Sequence, residues 1–179
     1  MNAFKRIAVL VLSVILSLSL LAGCEKTTAD GRMELAVSVG SRVTTLDPIY
    51  AEDFESQNVL VHLYENLLRV TWDGKGGSSV TNGMAKEVEV EENVDGTVTY
   101  TFHLRNAKWS DGKAVRAQDF VYAWQRLVNP ASHAPYATLL SVVVGYQEAR
   151  NSGDMSLLQV SAKNDTTLVV TLNGNYDWF

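Results

Sequence analysis

The chain opens on an apolar run, Ile7 to Leu21, preceded by Lys5 and Arg6. Beyond it, apolar positions fall into short periodic blocks. Leu35, Val37 and Val39 alternate with Ala36 and Ser38, which predicts a half-buried strand ending at Gly40. From Ser56, a suitable N-cap, Val59, Leu60, Leu63, Tyr64, Leu67 and Leu68 recur at helical spacing. Asn66 suits a left-handed turn at that helix end. Asp73 to Ser79 is a loop by composition. Glu87 to Glu91 alternates glutamate with valine, Asn93-Val94-Asp95-Gly96 is a turn, and Val98, Tyr100, Phe102 and Leu104 alternate with polar neighbours. Together they predict a β-hairpin with one wet face and one dry face. A tight turn follows at Trp109-Ser110-Asp111-Gly112. Phe120, Val121, Trp124, Leu127 and Val128 then form one apolar helical stripe, closed by Asn129-Pro130. Tyr136 to Gly145 reads as an apolar stretch of helical character, and Gly153-Asp154 turns the chain. Leu168, Val170 and Leu172 mark a last strand after the turn Asn164-Asp165. Helices mixed with antiparallel pairs give the class α/β, in its mixed α+β form.

The apolar run is about fifteen residues, shorter than the roughly twenty that span a bilayer. A basic start, an apolar middle and a small-residue exit make a secretory signal. It ends at Leu21-Ala22-Gly23-Cys24, and Cys24 is the only cysteine. That ending resembles the lipobox of bacterial lipoproteins. The resemblance implies cleavage before Cys24, lipid on its thiol and a chain held to a membrane outside the cytoplasm; the polar, small residues that follow Cys24 read as a tether over 25–34. An ordinary signal peptide and an uncleaved anchor helix are the alternatives. About 155 residues remain after the signal, enough for one ordinary domain, and 46% apolar content supports a core. The net charge is −5 and no stretch of the mature part is basic, which argues against nucleic acid as a partner. Two aromatics end the chain, Trp178 and Phe179, where polar residues are usual; they raise the expectation of a longer parent chain.

Sites of chemistry are hard to find. Gly74-Lys75-Gly76 lacks the spacing of a phosphate loop. Glu87, Glu89 and Glu91 fit a solvated sheet edge better than a cation site. His62 and Glu65 stand at helical spacing, but two ligands do not make a metal site, and His62 reads as a surface residue. His103 falls on the outer face of the hairpin and His133 in a loop. No Gly-x-Ser-x-Gly elbow is present. Binding is favoured over catalysis, with no cofactor and no metal.

Several motifs run in a telling order: Leu46-Asp47-Pro48, Tyr64-Glu65-Asn66-Leu67-Leu68, Gly83-Met84-Ala85, Tyr100-Thr101-Phe102-His103-Leu104-Arg105, Lys108-Trp109-Ser110-Asp111-Gly112, and Ala117-Gln118-Asp119-Phe120-Val121-Tyr122-Ala123-Trp124. In these the chain resembles the N-terminal part of an extracellular solute-binding protein of the oligopeptide, dipeptide and nickel group (family 5), the receptor of an ABC importer. The resemblance covers everything after Cys24 and leans toward oligopeptide binders. It implies two lobes that close on the ligand and a small domain inserted in the first lobe. Residues 35–70 would then be the first segment of the main lobe, and 71–179 the inserted subdomain, incomplete at its end.

Carried over by position, the resemblance places Glu52, Asp53, Phe54 and Tyr136 near an extended peptide. It implies a monomer that is not an enzyme, with an oligopeptide as ligand, permease subunits as partners and a lipid-anchored place in the cell envelope. The same fold could serve nickel, haem or an oligosaccharide. An inactive truncated fragment and an envelope metal-dependent hydrolase complete the alternatives. One departure is local: Arg116 stands where the family has a Ser or Thr helix cap, an absence that costs about 1 kcal/mol.

Overall fold

Every second side chain of Val98–Leu104 turns inward, and that segment lies at the centre of the fold. Val98, Phe102 and Leu104 are buried, while Thr99, Thr101 and His103 face outward. The computed structural model describes residues 35–179. The apolar run, the lipobox with Cys24, and the tether lie outside the described residues.

Among the described residues, nine α-helices and strands follow one another: α1 (Phe54–Leu63), β1 (Leu68–Trp72), β2 (Ser78–Asn82), β3 (Ala85–Glu92), β4 (Val98–Leu104), α2 (Ala117–Val128), α3 (Tyr146–Ser152), β5 (Val160–Asn164) and β6 (Thr167–Leu172). Strands β3 to β6 form one antiparallel sheet in the order β3-β4-β6-β5, and β1 and β2 form a separate hairpin. Tyr100 sits opposite Val90 on one side and Val170 on the other. The predicted hairpin is thus present, with the glutamates of β3 on an outer strand; its dry face holds on β4, whereas on β3 Val88 is half-buried and Val90 exposed. Helix α2 packs its Ala117, Val121 and Val128 against the inner face of the sheet, where Leu168, Val170 and Leu172 are fully buried. Burying one such side chain contributes about 1.5–3 kcal/mol, so this two-layer contact is the main source of cohesion. Gly40–Phe179 cluster as one unit.

Several expected elements differ. No strand forms at Leu35–Val39; Leu35 and Val37 are exposed, because alternation by itself supplies no ladder partner. The first helix starts at Phe54, ahead of Ser56: Asp53, not Ser56, is the N-cap, its carboxylate accepting from the Ser56 amide at 2.7 Å. Ser56 is instead buried, and its Oγ accepts from the amides of Thr44 and Thr45, both at 3.1 Å. The helix also ends at Leu63, with Tyr64 already extended. The carbonyls of Asn66 and Leu67 accept from Met84 (2.8 Å) and Ala85 (3.0 Å), which holds residues 66–67 out of any helix just ahead of β1. Asn66 adopts no left-handed conformation; among the described residues, His133 is the one non-glycine residue with positive φ, at 50°. The Tyr136–Gly145 stretch holds only a short 3₁₀ turn, Ala137–Leu140, and then runs beside β6. Val144 donates to Thr171 O (2.9 Å) and Asn173 to Val142 O (2.9 Å), an edge pairing that outcompetes helix.

Candidate functional site

Pro48–Tyr50 form a 3₁₀ turn capped by Asp47, with Pro48 fixing the φ of the first position. The turn matters for what it presents next. Ile49 and Ala51 are buried, which fixes the backbone, while Glu52 and Phe54 point to solvent, Phe54 with 75% of its surface free. Ala51 and Asp53 are both extended, so the 51–53 stretch offers strand-like backbone just before α1 begins.

Two long-range ties hold this segment. Asp47 Oδ1 accepts from Arg126 Nη1 at 2.7 Å, and Oδ2 from Arg126 Nη2 at 2.5 Å, a two-pronged pair between half-buried side chains. The hydrogen bond from Arg126 and, secondarily, its charge hold the Asp47 carboxyl below the usual carboxylate range; the same pair pushes Arg126 up. The Arg126 guanidinium carbon also lies 5.8 Å from the Tyr50 ring centroid, within cation–π range. The Tyr50 hydroxyl donates to Ser132 O at 2.9 Å. Ser132 precedes His133, whose left-handed conformation turns the chain toward Tyr136.

The four positions singled out from the sequence are therefore arranged as follows. Glu52 and Phe54 are free side chains on the segment itself. Asp53 is engaged internally: Oδ1 accepts from Ser56 N, and Oδ2 accepts from the Thr44 hydroxyl. Those bonds, the Thr44 one first, pull its pKa down to about 2. Tyr136 is 40% exposed, at the start of the 137–140 turn. The Tyr50–Ser132 bond fastens the 47–54 segment to the loop that ends in Tyr136. Sequence reading missed Asp47, Tyr50, Arg126 and Ser132 as a set. Leu46-Asp47-Pro48 is visible as a motif, but no local signal pairs Asp47 with a residue 79 positions away.

The remaining candidates resolve otherwise. His62 is exposed in the last turn of α1, and Glu65 lies outside the helix, paired with Arg69 (2.5 Å) and Arg105 (3.6 Å). His103 Nε2 lies 3.0 Å from Glu89 Oε1 across the hairpin. Among the described residues, no three of His, Cys, Asp or Glu gather as metal ligands would. An open cleft of about 280 Å³, lined by Leu67, Leu68, Phe102, Phe120, Trp124 and Phe179 among others, lies apart from the four predicted positions. So does a shallow polar basin that includes Arg69, Lys86 and Arg105.

Residues 79–179 match the family model described as bacterial extracellular solute-binding proteins, family 5 Middle. The periplasmic oligopeptide-binding protein OppA of Haemophilus influenzae is 39% identical over 154 residues, covering 82% of this chain and 26% of that protein. The oligopeptide-binding protein OppA of Bacillus subtilis is 35% identical over 187 residues, covering 98% of this chain and 33% of its own length. The crystal structure of Haemophilus influenzae OppA in complex with RPPGFSPFR superimposes with a TM-score of 0.63 at 40% identity, over 75% of this chain and 26% of that one. The chain thus spans about a quarter to a third of the length of the curated relatives it matches.

Proposed function

The chain belongs to the bacterial extracellular solute-binding proteins of family 5, and from that membership we propose that it serves the capture of oligopeptides outside the cytoplasm for an ABC importer. The observation that carries this reading is its likeness, at 40% identity, to a relative solved in complex with RPPGFSPFR. The chemistry agrees. An extended peptide brings unpaired N–H and C=O groups, and a neighbouring extended backbone pairs with them with little regard to side-chain identity. The 51–53 stretch is extended and sits on buried Ile49 and Ala51. In this reading Glu52 and Phe54 face the ligand, Phe54 and Tyr136 form apolar walls, and Asp53 acts through the backbone it holds, since both of its oxygens are engaged.

The protein captures and hands over its cargo rather than transforming it, working as a monomer that presents peptide to permease subunits. Residues 35–70 form the first segment of a main lobe, and 71–179 an inserted subdomain. Cys24 carries lipid that holds the protein at the membrane; several acyl chains give lasting attachment where a single chain is marginal.

Photo-crosslinking tests the site. A mixed-sequence peptide bearing a photoreactive side chain is irradiated with the product of the open reading frame read to its stop codon. The expected result is labelling within 52–54 and at Tyr136. Labelling confined to the cleft beside Trp124 and Phe120, or none that unlabelled peptide competes away, overturns the assignment.

A further inference from the structure

Both candidate ligand-facing segments hang from one clasp. Asp47 and Tyr50 belong to the first segment; Arg126 and Ser132 belong to the end of α2 and the loop beyond it. Asp47 does two things at once. It caps its own turn, accepting from Ile49 N at 3.4 Å, and it receives both prongs of Arg126 at 2.7 and 2.5 Å. Arg126 in turn lies against the Tyr50 ring, whose hydroxyl reaches Ser132 O, 82 residues away in sequence.

We infer that Asp47, Arg126 and Tyr50 are positioning residues that set the spacing between the Glu52–Phe54 segment and the Tyr136 loop before cargo arrives. The inference rests on the peptide-capture reading for what the spacing is for. Its physical basis is preorganisation: a segment already ordered does not have to lose its freedom on binding. The guanidinium fork of one side chain reaches both oxygens of the carboxylate in a fixed plane, which a lysine ammonium does not match, so lysine is no equivalent at position 126. The clasp touches backbone or its own members, which leaves Glu52, Phe54 and Tyr136 free to face a ligand.

The test uses the product of the open reading frame read to its stop codon, with Arg126→Met, Arg126→Lys and Tyr50→Phe. Two quantities are read: hydrogen exchange without ligand, and calorimetric affinity for a mixed-sequence octapeptide. Arg126→Met should speed exchange in both 47–54 and 130–137, leave β4 and β6 protected, and weaken affinity about tenfold. Arg126→Lys, which keeps the charge and loses the fork, should recover only part of the affinity. Tyr50→Phe, which removes one hydroxyl and little packing, should loosen 130–137 more than 47–49.

Unchanged exchange in both segments overturns the clasp. So does unchanged affinity in variants whose exchange has risen. Wild-type protein that binds no peptide overturns the capture reading instead, and the exchange data then still decide whether the clasp joins the two segments.

Discussion

Asp119 takes over the helix start that Arg116 leaves without a side-chain cap. Its Oδ2 accepts from the Arg116 amide at 2.9 Å and from Trp109 Nε1 at 3.1 Å. Arginine has no acceptor, so only the carboxylate half of a capping box operates here. The Ala117 amide, another donor of the first turn, is taken by Asp165 O at 2.8 Å. The start of α2 is therefore tied to the preceding turn and to the β5–β6 turn. Asp119→Ala should cost about 1 kcal/mol, and Arg116→Ser should gain about 0.5–1 kcal/mol. Urea unfolding checks both, as opposite shifts of the midpoint at unchanged slope.

Gly145 begins α3 at φ 81°, and a Cβ there would overlap the Leu157 carbonyl oxygen. Gly153 ends the same helix at φ 77° with open space around it. The pair separates two costs. Gly153→Ala should lose about 1–2 kcal/mol from the left-handed backbone alone. Gly145→Ala adds a clash with main chain and should lose about 3 kcal/mol or more. Equal losses in thermal unfolding would mean that the Leu157 segment yields freely.

Acid should act on the 44–56 region through its carboxylates. Asp53 is lowered to about 2 by hydrogen bonds from Thr44 and Ser56, and Asp47 is lowered chiefly by Arg126. A depressed folded-state value means stability that is fully present above the unfolded value, about 3.9, and lost as pH falls through the folded one. Stability should therefore decline between about pH 4 and pH 2. Asp53→Asn keeps a cap acceptor but binds no proton, so its decline should be shallower. Asp73, Asp95, Asp111 and Asp154 are lowered too, by hydrogen bonds in their turns, so the dependence flattens without vanishing. Melting temperature against pH for the two proteins gives the comparison; superimposable curves would remove Asp53 from the acid response.

For the anchor, Cys24→Ala should leave the protein unlipidated and move it out of the membrane fraction. Metabolic labelling with a fatty-acid analogue and fractionation of cells read this directly. Label on the alanine variant, or its full retention with membranes, would contradict lipid attachment at that thiol.

Legibility in the sequence followed how local the deciding forces are. The β3–β4 hairpin was readable because valine and glutamate alternate on one side of Gly96, and Val98, Tyr100, Phe102 and Leu104 alternate with polar residues on the other. Helix α2 was readable because its apolar stripe is closed by Pro130. The β1–β2 hairpin was not: Leu67 and Leu68 continue a helical spacing from Val59, and only remote partners end the helix, the amides of Met84 and Ala85 on the carbonyls of Asn66 and Leu67 and the register of Leu68 with Asn82. Strand β5, Val160–Asn164, has only two apolar residues, Val160 and Ala162, too short a pattern to stand out, and is set by its register with β6. At the candidate site, Glu52, Asp53, Phe54 and Tyr136 came from resemblance, because nothing in their local pattern marks them as ligand-facing. The pairing of Asp47 with Arg126 had no trace in either residue's neighbourhood, since an ion pair across 79 positions is a tertiary fact.

The claim at the centre is peptide capture. Isothermal titration of the product of the open reading frame, read to its stop codon, tests it most directly, with a mixed-sequence octapeptide in one cell and nickel, haem and an oligosaccharide in others. The account predicts saturable heat with the peptide at about micromolar affinity or tighter and none with the other three. Silence with peptide and saturation by any of the others would contradict it.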